Sequence, residues 1–478
     1  MDGAALTTED RVILRAGAGA IVAGGAVLIA GVLLLLPFGP LPVLAVGVVA
    51  GGGLALLGLT QAGGAVQLGA LLVAATALIG GGEGFSPGEG LYLAGALLYT
   101  AAWYGRRLIG GEPFVAGTDD VVALAWLVFG IGLMLVAGGL AGNALGDLRA
   151  EAISLFPFLL FFPVKEAVAR ERWGLGLVVA ALALYGLYST VLNAFAIRAA
   201  VAEATVWYEV ANVRFTTGET AMAACLLIGL SALPAVRSLA ARGALVAICA
   251  GVLAGLLIAK SRGYWISTLF GLGLAVAASP RETRRRQVLY LVGGGAALAA
   301  LASALFYEQV VLLIQGVGIR FASLATAATA DVSLLNRYAE NRAAWAEIRA
   351  NPILGYGWGR QTTYYSTISE GTSRWSFVHN AYVFVWHKAG LWGLGLLLAM
   401  WARAAVRAAK AARSRALPLA ERAAAAGVVG AVAALALVAN TSNPLGIADA
   451  SLVLVLVLAT GHGLGQRAEA AGRRAAGA

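Results

Sequence analysis

The sequence predicts an all-α polytopic membrane protein, and three observations carry that reading. Of its 478 residues, 60% are apolar and 12% charged, with a mean hydropathy of +0.83, whereas soluble domains are about one quarter charged. Apolar runs of about 17–25 residues recur along almost the whole chain, each long enough to cross about 30 Å of hydrocarbon. These runs are continuous and rich in Leu, Ala and Val, without period-two alternation. Only helices and closed barrels satisfy their own backbone in lipid, and the pattern selects helices.

In chain order the candidate spans are roughly 16–37, 41–60, 65–82, 91–105, 121–140, 153–164, 174–195, 218–236, 243–259, 264–279, 288–306, 380–402, 424–440 and 450–465. That is about fourteen, or about twelve if the shorter runs are re-entrant. The first run is long and more spans follow it, so it reads as a span rather than a cleaved signal peptide. The 63 glycines are scattered through these runs, where small residues permit close helix packing. Cys225 and Cys249 lie within apolar runs and read as small buried hydrophobes.

Basic clusters give the orientation. Arg106-Arg107, Lys165/Arg170/Arg172, Arg237/Arg242, Arg281/Arg284/Arg285/Arg286, Arg403 to Arg422 and Arg473-Arg474 all fall on one side of the expected spans. The positive-inside rule makes that side, and both termini, cytoplasmic. The net charge of +10 therefore reflects topology and predicts membrane lipids, not nucleic acid, as partner. Two long polar segments, 196–217 and 307–378, fall on the opposite side. The expected organisation is a transmembrane domain over 1–306, a large outer loop over 307–378, and further spans with a tail over 379–478. The text DVSLLNRYAENRAAWAEIRANP predicts that the loop packs as a helical cap.

One place breaks the charge rule, and one histidine stands out by its position. LLIAKSRGYWIS puts Lys260 and Arg262 in a tight outward turn, where two cations need an anion, either a protein carboxylate or a ligand. FVHNAY puts His379 where the polar loop ends and an apolar run begins. The loop adds Arg320, Arg337, Arg342, Arg349, Arg360 and Arg374. A neutral histidine can take a proton from an attacking hydroxyl, and guanidinium groups hold phosphate oxygens. A lipid diphosphate sits at this depth, so transfer from such a donor to a hydroxyl fits the constellation. No Walker motif, GxGxxG element, metal-ligand spacing or acidic cluster stands out, so neither nucleotide, metal nor other cofactor is expected. His387 reads as a packing residue, and His462 is assigned no role.

At these residues the chain resembles the O-antigen ligase and O-antigen polymerase superfamily of bacterial membrane glycosyltransferases. The resemblance rests on His379-Asn380 followed by nine residues and Gly390, on Ser261-Arg262-Gly263, and on Arg337 with Pro352-Ile-Leu-Gly-Tyr-Gly357. It covers roughly 245–400 and departs from the common pattern at Asn341, where many relatives carry an aromatic residue. It implies a GT-C type fold in the bacterial inner membrane and a periplasmic active site. It also implies transfer of glycan from undecaprenyl diphosphate without metal or nucleotide. His379 is then the candidate base, and Arg262 and Arg337, with Arg342 and Lys260 nearby, are candidate diphosphate ligands. The acceptor is lipid A-core for a ligase and another glycan for a polymerase, and the His-Asn-x9-Gly spacing favours the ligase. A transporter of anions or lipids is the reading from another class. The absence of a convincing internal repeat argues against it.

Overall fold

The computed structural model describes residues 87–109, 117–203, 217–305 and 332–477, with a few single residues between 68 and 115. The spans expected at 16–37 and 41–60, most of 65–82, and the start of the outer loop lie outside the described residues. The chain divides into two compact units, Met1–Arg106 and Arg107–Ala478. The described part of the first is mainly helix α1 (Pro87–Ile109), which buries Tyr92, Ala96 and Trp103.

The second unit is a helical bundle. Its helices are α2 (Thr118–Leu140), α3 (Leu145–Arg170), α4 (Gly174–Glu203), α5 (Glu219–Ala235), α6 (Leu239–Ala259), α7 (Arg262–Ala278) and α8 (Arg281–Leu305). After the outer cap come α10 (Ala381–Arg413), α11 (Leu419–Val438) and α12 (Ala448–Gly477). Among the described residues seven helices are long and apolar enough to cross a membrane: α2, α3, α4, α6, α10, α11 and α12. Buried residues fill the most apolar stretch of α12 to 94%. A helix apolar all round is a core helix, and α12 packs against α3, α10 and α11. Small residues bring backbones together: a Cβ on Gly430 would stand 2.4 Å from the Gly271 carbonyl, so α11 and α7 touch at their glycines.

The run expected at 153–164 is the middle of a longer helix. α3 starts earlier, through Asp147, Arg149 and Glu151, because its polar first turns have partners in the cap and on α10. Ser376 donates to Asp147 at 2.9 Å and Lys388 lies 3.1 Å from Glu151. α2 passes through a π-helical stretch at Trp126–Leu133. There Trp358 of the cap donates its indole N–H to the Gly130 carbonyl at 2.9 Å.

The bundle has two chemically distinct ends. At one, Asp119 receives Arg403 and Arg407, Lys165 meets Asp120 at 2.7 Å, Arg467 meets Glu421 at 3.0 Å, and Arg422 meets Glu282 at 3.3 Å. Many of the basic residues read as one-sided thus gather at one end. α10 and α12 start at the other end, as does α7, and the cap sits there.

The cap is helical in part. α9 (Val332–Ala350) matches the helical text. It is followed by an antiparallel hairpin that the helical reading of the loop did not include, β1 (Thr362–Ser366) with β2 (Gly371–Trp375). The run TTYYS is β-branched and aromatic, which favours a half-buried strand, and its burial alternates, with Thr362, Tyr364 and Ser366 inward.

Candidate functional site

His379 stands one residue before the Asn380 that caps α10. The Asn380 side-chain oxygen accepts from the N–H groups of Tyr382 and Val383 at 3.0 and 3.1 Å. This closes the orphan donors of the first turn and fixes the backbone beside the histidine. Eleven residues after His379, Gly390 interrupts α10 with φ 66° and ψ −174°. A Cβ there would lie 2.0 Å from the Ile353 carbonyl. The glycine lets the Pro352–Gly357 loop dock directly on the helix backbone: Leu391 donates to the Pro352 carbonyl, Tyr356 to that of His387 and Gly357 to that of Lys388, at 2.9–3.0 Å. Gly357, with φ 76°, in turn presses on Gly138 of α2. The two motifs read separately in sequence are the two sides of one interlock. Beneath it the fully buried Lys388 is held by Glu151 and the Arg360 carbonyl.

The histidine has a partner that the sequence reading missed. His379 Nδ1 lies 2.7 Å from Glu340 Oε2, and the His379 backbone N–H donates to the same oxygen at 3.3 Å. The other oxygen, Oε1, receives Asn336 at 3.0 Å and the Tyr364 hydroxyl at 3.2 Å. A carboxylate surrounded by donors is an acceptor, so Nδ1 carries the proton; in the neutral ring Nε2 then presents a lone pair. Nε2 has no hydrogen-bond partner among the described residues. Burial, and then the Glu340 charge, push the Tyr364 phenol upward, keeping it a donor to that carboxylate. The Glu340 side chain is 1% exposed and that of His379 30%. A partly exposed imidazole is thus braced by a buried carboxylate, an arrangement that can orient a general base.

The candidate cations are placed as follows. Arg337 is half-buried on α9, three residues before Glu340 and so on the neighbouring face of the helix. Arg342 is exposed and two residues beyond Glu340, which turns it about 200° away. Lys260 ends α6 in a left-handed conformation, φ 54°, and Arg262 opens α7; both are half-buried. An arginine in a first helical turn faces the positive end of the helix dipole, so its position favours a nearby anion. Thr220 Oγ1 and Tyr264 Oη are 2.7 Å apart, which brings the buried Glu219 at the start of α5 close to that turn. A protein carboxylate therefore stands near that turn.

One loop connects the Ser-Arg-Gly turn with the histidine. A Cβ on Gly263 would sit 3.0 Å from Thr441 Oγ1. Two residues on, Asn443 donates to the Val378 carbonyl at 2.9 Å, and the Ala381 N–H reaches the Ala439 carbonyl at 2.9 Å. The 439–446 loop thus touches both. His462 lies buried at the opposite end of the bundle, 3.4 Å from the Met400 carbonyl, and plays no part here. Among the described residues no group of His, Cys, Asp and Glu is arranged to hold a metal.

A family model described as O-Antigen ligase matches residues 243–398. The match runs from α6 to the middle of α10 and takes in the Ser-Arg-Gly turn, α9, the hairpin, His379 and Gly390. No curated protein matches the chain.

Proposed function

From a chain that carries the domain of the O-antigen ligase and polymerase superfamily at residues 243–398, we propose a ligase-type membrane glycosyltransferase. It moves a glycan from an undecaprenyl-diphosphate donor to an acceptor hydroxyl at the periplasmic face of the bacterial inner membrane, and the acceptor is lipid A-core. His379 Nε2 takes the hydroxyl proton as the acceptor oxygen bonds to the anomeric carbon. The bond from that carbon to the diphosphate breaks, and the leaving phosphate keeps the electron pair. Arg262 and Arg337 hold that phosphate through charge-assisted hydrogen bonds. Glu340 fixes the reactive tautomer and offsets the positive charge that develops on the imidazole.

The observation that carries this reading is the 2.7 Å contact from the outward histidine to its buried glutamate. It sits at the end of the bundle away from the basic clusters, where a lipid-borne diphosphate and a periplasmic acceptor would meet. The test is glycan transfer by the purified protein from a polyprenyl-diphosphate donor, with a chelator present and no nucleotide. Transfer is expected under both conditions. No transfer from any lipid-diphosphate donor, or transfer that needs a nucleotide sugar, defeats the proposal.

Ligase and polymerase share this chemistry and differ in acceptor. The nine-residue spacing from Asn380 to Gly390 supports the ligase. Deletion in the native host separates them: unextended core with polymer accumulating on the carrier means ligase, and core bearing a single repeat means polymerase.

A further inference from the structure

The short segment from Trp375 to His379 alternates. Ser376 and Val378 turn inward, the first hydrogen-bonded to Asp147 and the second fully buried with its carbonyl held by Asn443. Trp375, Phe377 and His379 therefore share the other side of the segment. Their rings form a row. The Trp375 and Phe377 centroids are 5.6 Å apart at 36°, and Phe377 meets His379 edge-on at 5.0 Å and 89°. Phe377 is backed by Gly446, where a Cβ would stand 2.4 Å from the ring, so the row is fixed from behind. Trp375, at its outer end, is 49% exposed.

A large aromatic left half in solvent needs a reason, and two surfaces compete for it. A tryptophan anchored in the lipid interface has apolar neighbours, as Trp392 has in the exposed Leu391 beside it on α10. Trp375 instead ends a strand, on the face it shares with Ser373 and, across the pair, with Thr362 and Tyr364. That mixture of polar groups around an aromatic face suits a ligand that is itself amphipathic. A pyranose ring is one: it offers a face of C–H groups to an aromatic ring while its rim of hydroxyls stays hydrogen-bonded. The row also starts at the histidine, and each step along it is on the scale of one sugar ring. A glycan whose reacting atom lies at His379 Nε2 would lay its next residues along Phe377 and Trp375.

We propose that Phe377 and Trp375 form a glycan subsite running from His379 onto the hairpin, for the sugar residues nearest the reacting bond. The inference rests on the transferase reading above and adds where the glycan lies. The experiment uses full-length protein and the host's lipid-linked glycan, either intact or trimmed to its first sugar, with the acceptor glycan likewise intact or trimmed. Trp375→Ala is expected to raise KM for the intact substrate about 3–10-fold. It should leave kcat within twofold and leave KM for the trimmed substrate unchanged. Trp375→Phe should recover most of the loss. Whether the difference follows trimming of donor or of acceptor tells which glycan occupies the row, and either supports the subsite. An unchanged KM, or an equal rise for intact and trimmed substrates as a lipid anchor would give, overturns it. Absence of transfer by the wild-type protein overturns the parent reading and the subsite with it. Transfer with length-independent KM overturns the subsite alone.

Discussion

Helices α9 and α10 make two histidine–glutamate contacts, and the two are built in opposite ways. Near the start of α10, His379 is 30% exposed and Glu340 is 1% exposed. Two turns further on, His387 is 0% exposed and Glu347 is 26% exposed, 3.0 Å away. The tautomers are also opposite. His379 gives Nδ1–H to its carboxylate, whereas His387 gives Nε2–H to Glu347 and buries Nδ1 with no hydrogen-bond partner among the described residues. Glu347 is shared with Arg360 at 2.9 Å. The same residue types, two on α9, one just before α10 and one within it, thus yield a partly exposed imidazole over a buried carboxylate in one case, and a sealed brace in the other. What separates a candidate base from a packing histidine is which partner faces solvent.

The comparison can be broken most severely at the histidines. His379→Ala should fold and bind donor but lose about 10²–10⁴-fold in turnover, the usual range for general-base assistance. His387→Ala should keep turnover per folded molecule within about tenfold and lose thermal stability instead. Transfer assays beside thermal unfolding check both, and a reversed pattern would exchange the two roles. Next comes the interlock that both pairs share. Gly390→Ala forces a side chain into a left-handed position against the Ile353 carbonyl, and should cost about 2 kcal/mol or more of stability. A variant as stable as wild type would mean that the Pro352–Gly357 loop is not held this way. Among the cations, Arg337→Ala should weaken donor binding about tenfold and the outward Arg342→Ala less than twofold. Equal losses would erase the distinction drawn from helix position.

The smallest expected effect is a pH dependence at the brace. Burial pushes the Glu347 carboxyl up, but hydrogen bonds from His387 and Arg360 outweigh it and hold the group at about 2, below its ordinary 4.5. A depressed carboxyl adds stability that is fully present above the unfolded-state value and fades as pH falls through the folded one. The stability gap between wild type and Glu347→Gln should therefore be constant above about pH 5 and shrink from pH 4.5 toward 2. A gap unchanged across that window would show that the ion pair adds nothing.

Much of this was legible in the chain. Continuous apolar runs without period-two alternation gave the helices, because lipid admits only helices and closed barrels. His379 was visible at the junction of loop and span, and Asn380, Gly390 and the Pro352–Gly357 run through the family resemblance; the structure gives these last three a cap, a left-handed turn and a close approach. Glu340 was not visible. It lies 39 residues before His379, in an amphipathic stretch where a glutamate reads as a solvated side chain, and only folding of the cap brings the two together. The i, i+4 spacing of Asn336 and Glu340 was the one local hint. Lys388 and Glu151 escaped for the same reason, as a buried pair from distant helices. The hairpin was missed because its strands are short and follow text with helical character.

In the transferase reading, Glu340 serves the chemistry and Glu347 the scaffold. The most direct measurement is kcat for Glu340→Gln beside Glu347→Gln, on purified, folded protein with saturating donor and acceptor. An amide at 340 can offer its own N–H to Nδ1 and hold the wrong tautomer, so a loss approaching that of His379→Ala, about 10²–10⁴-fold, is predicted with KM little changed. Glu347→Gln should stay within about tenfold of wild type. Near-normal turnover in Glu340→Gln, or equal losses in both variants, would contradict the claim.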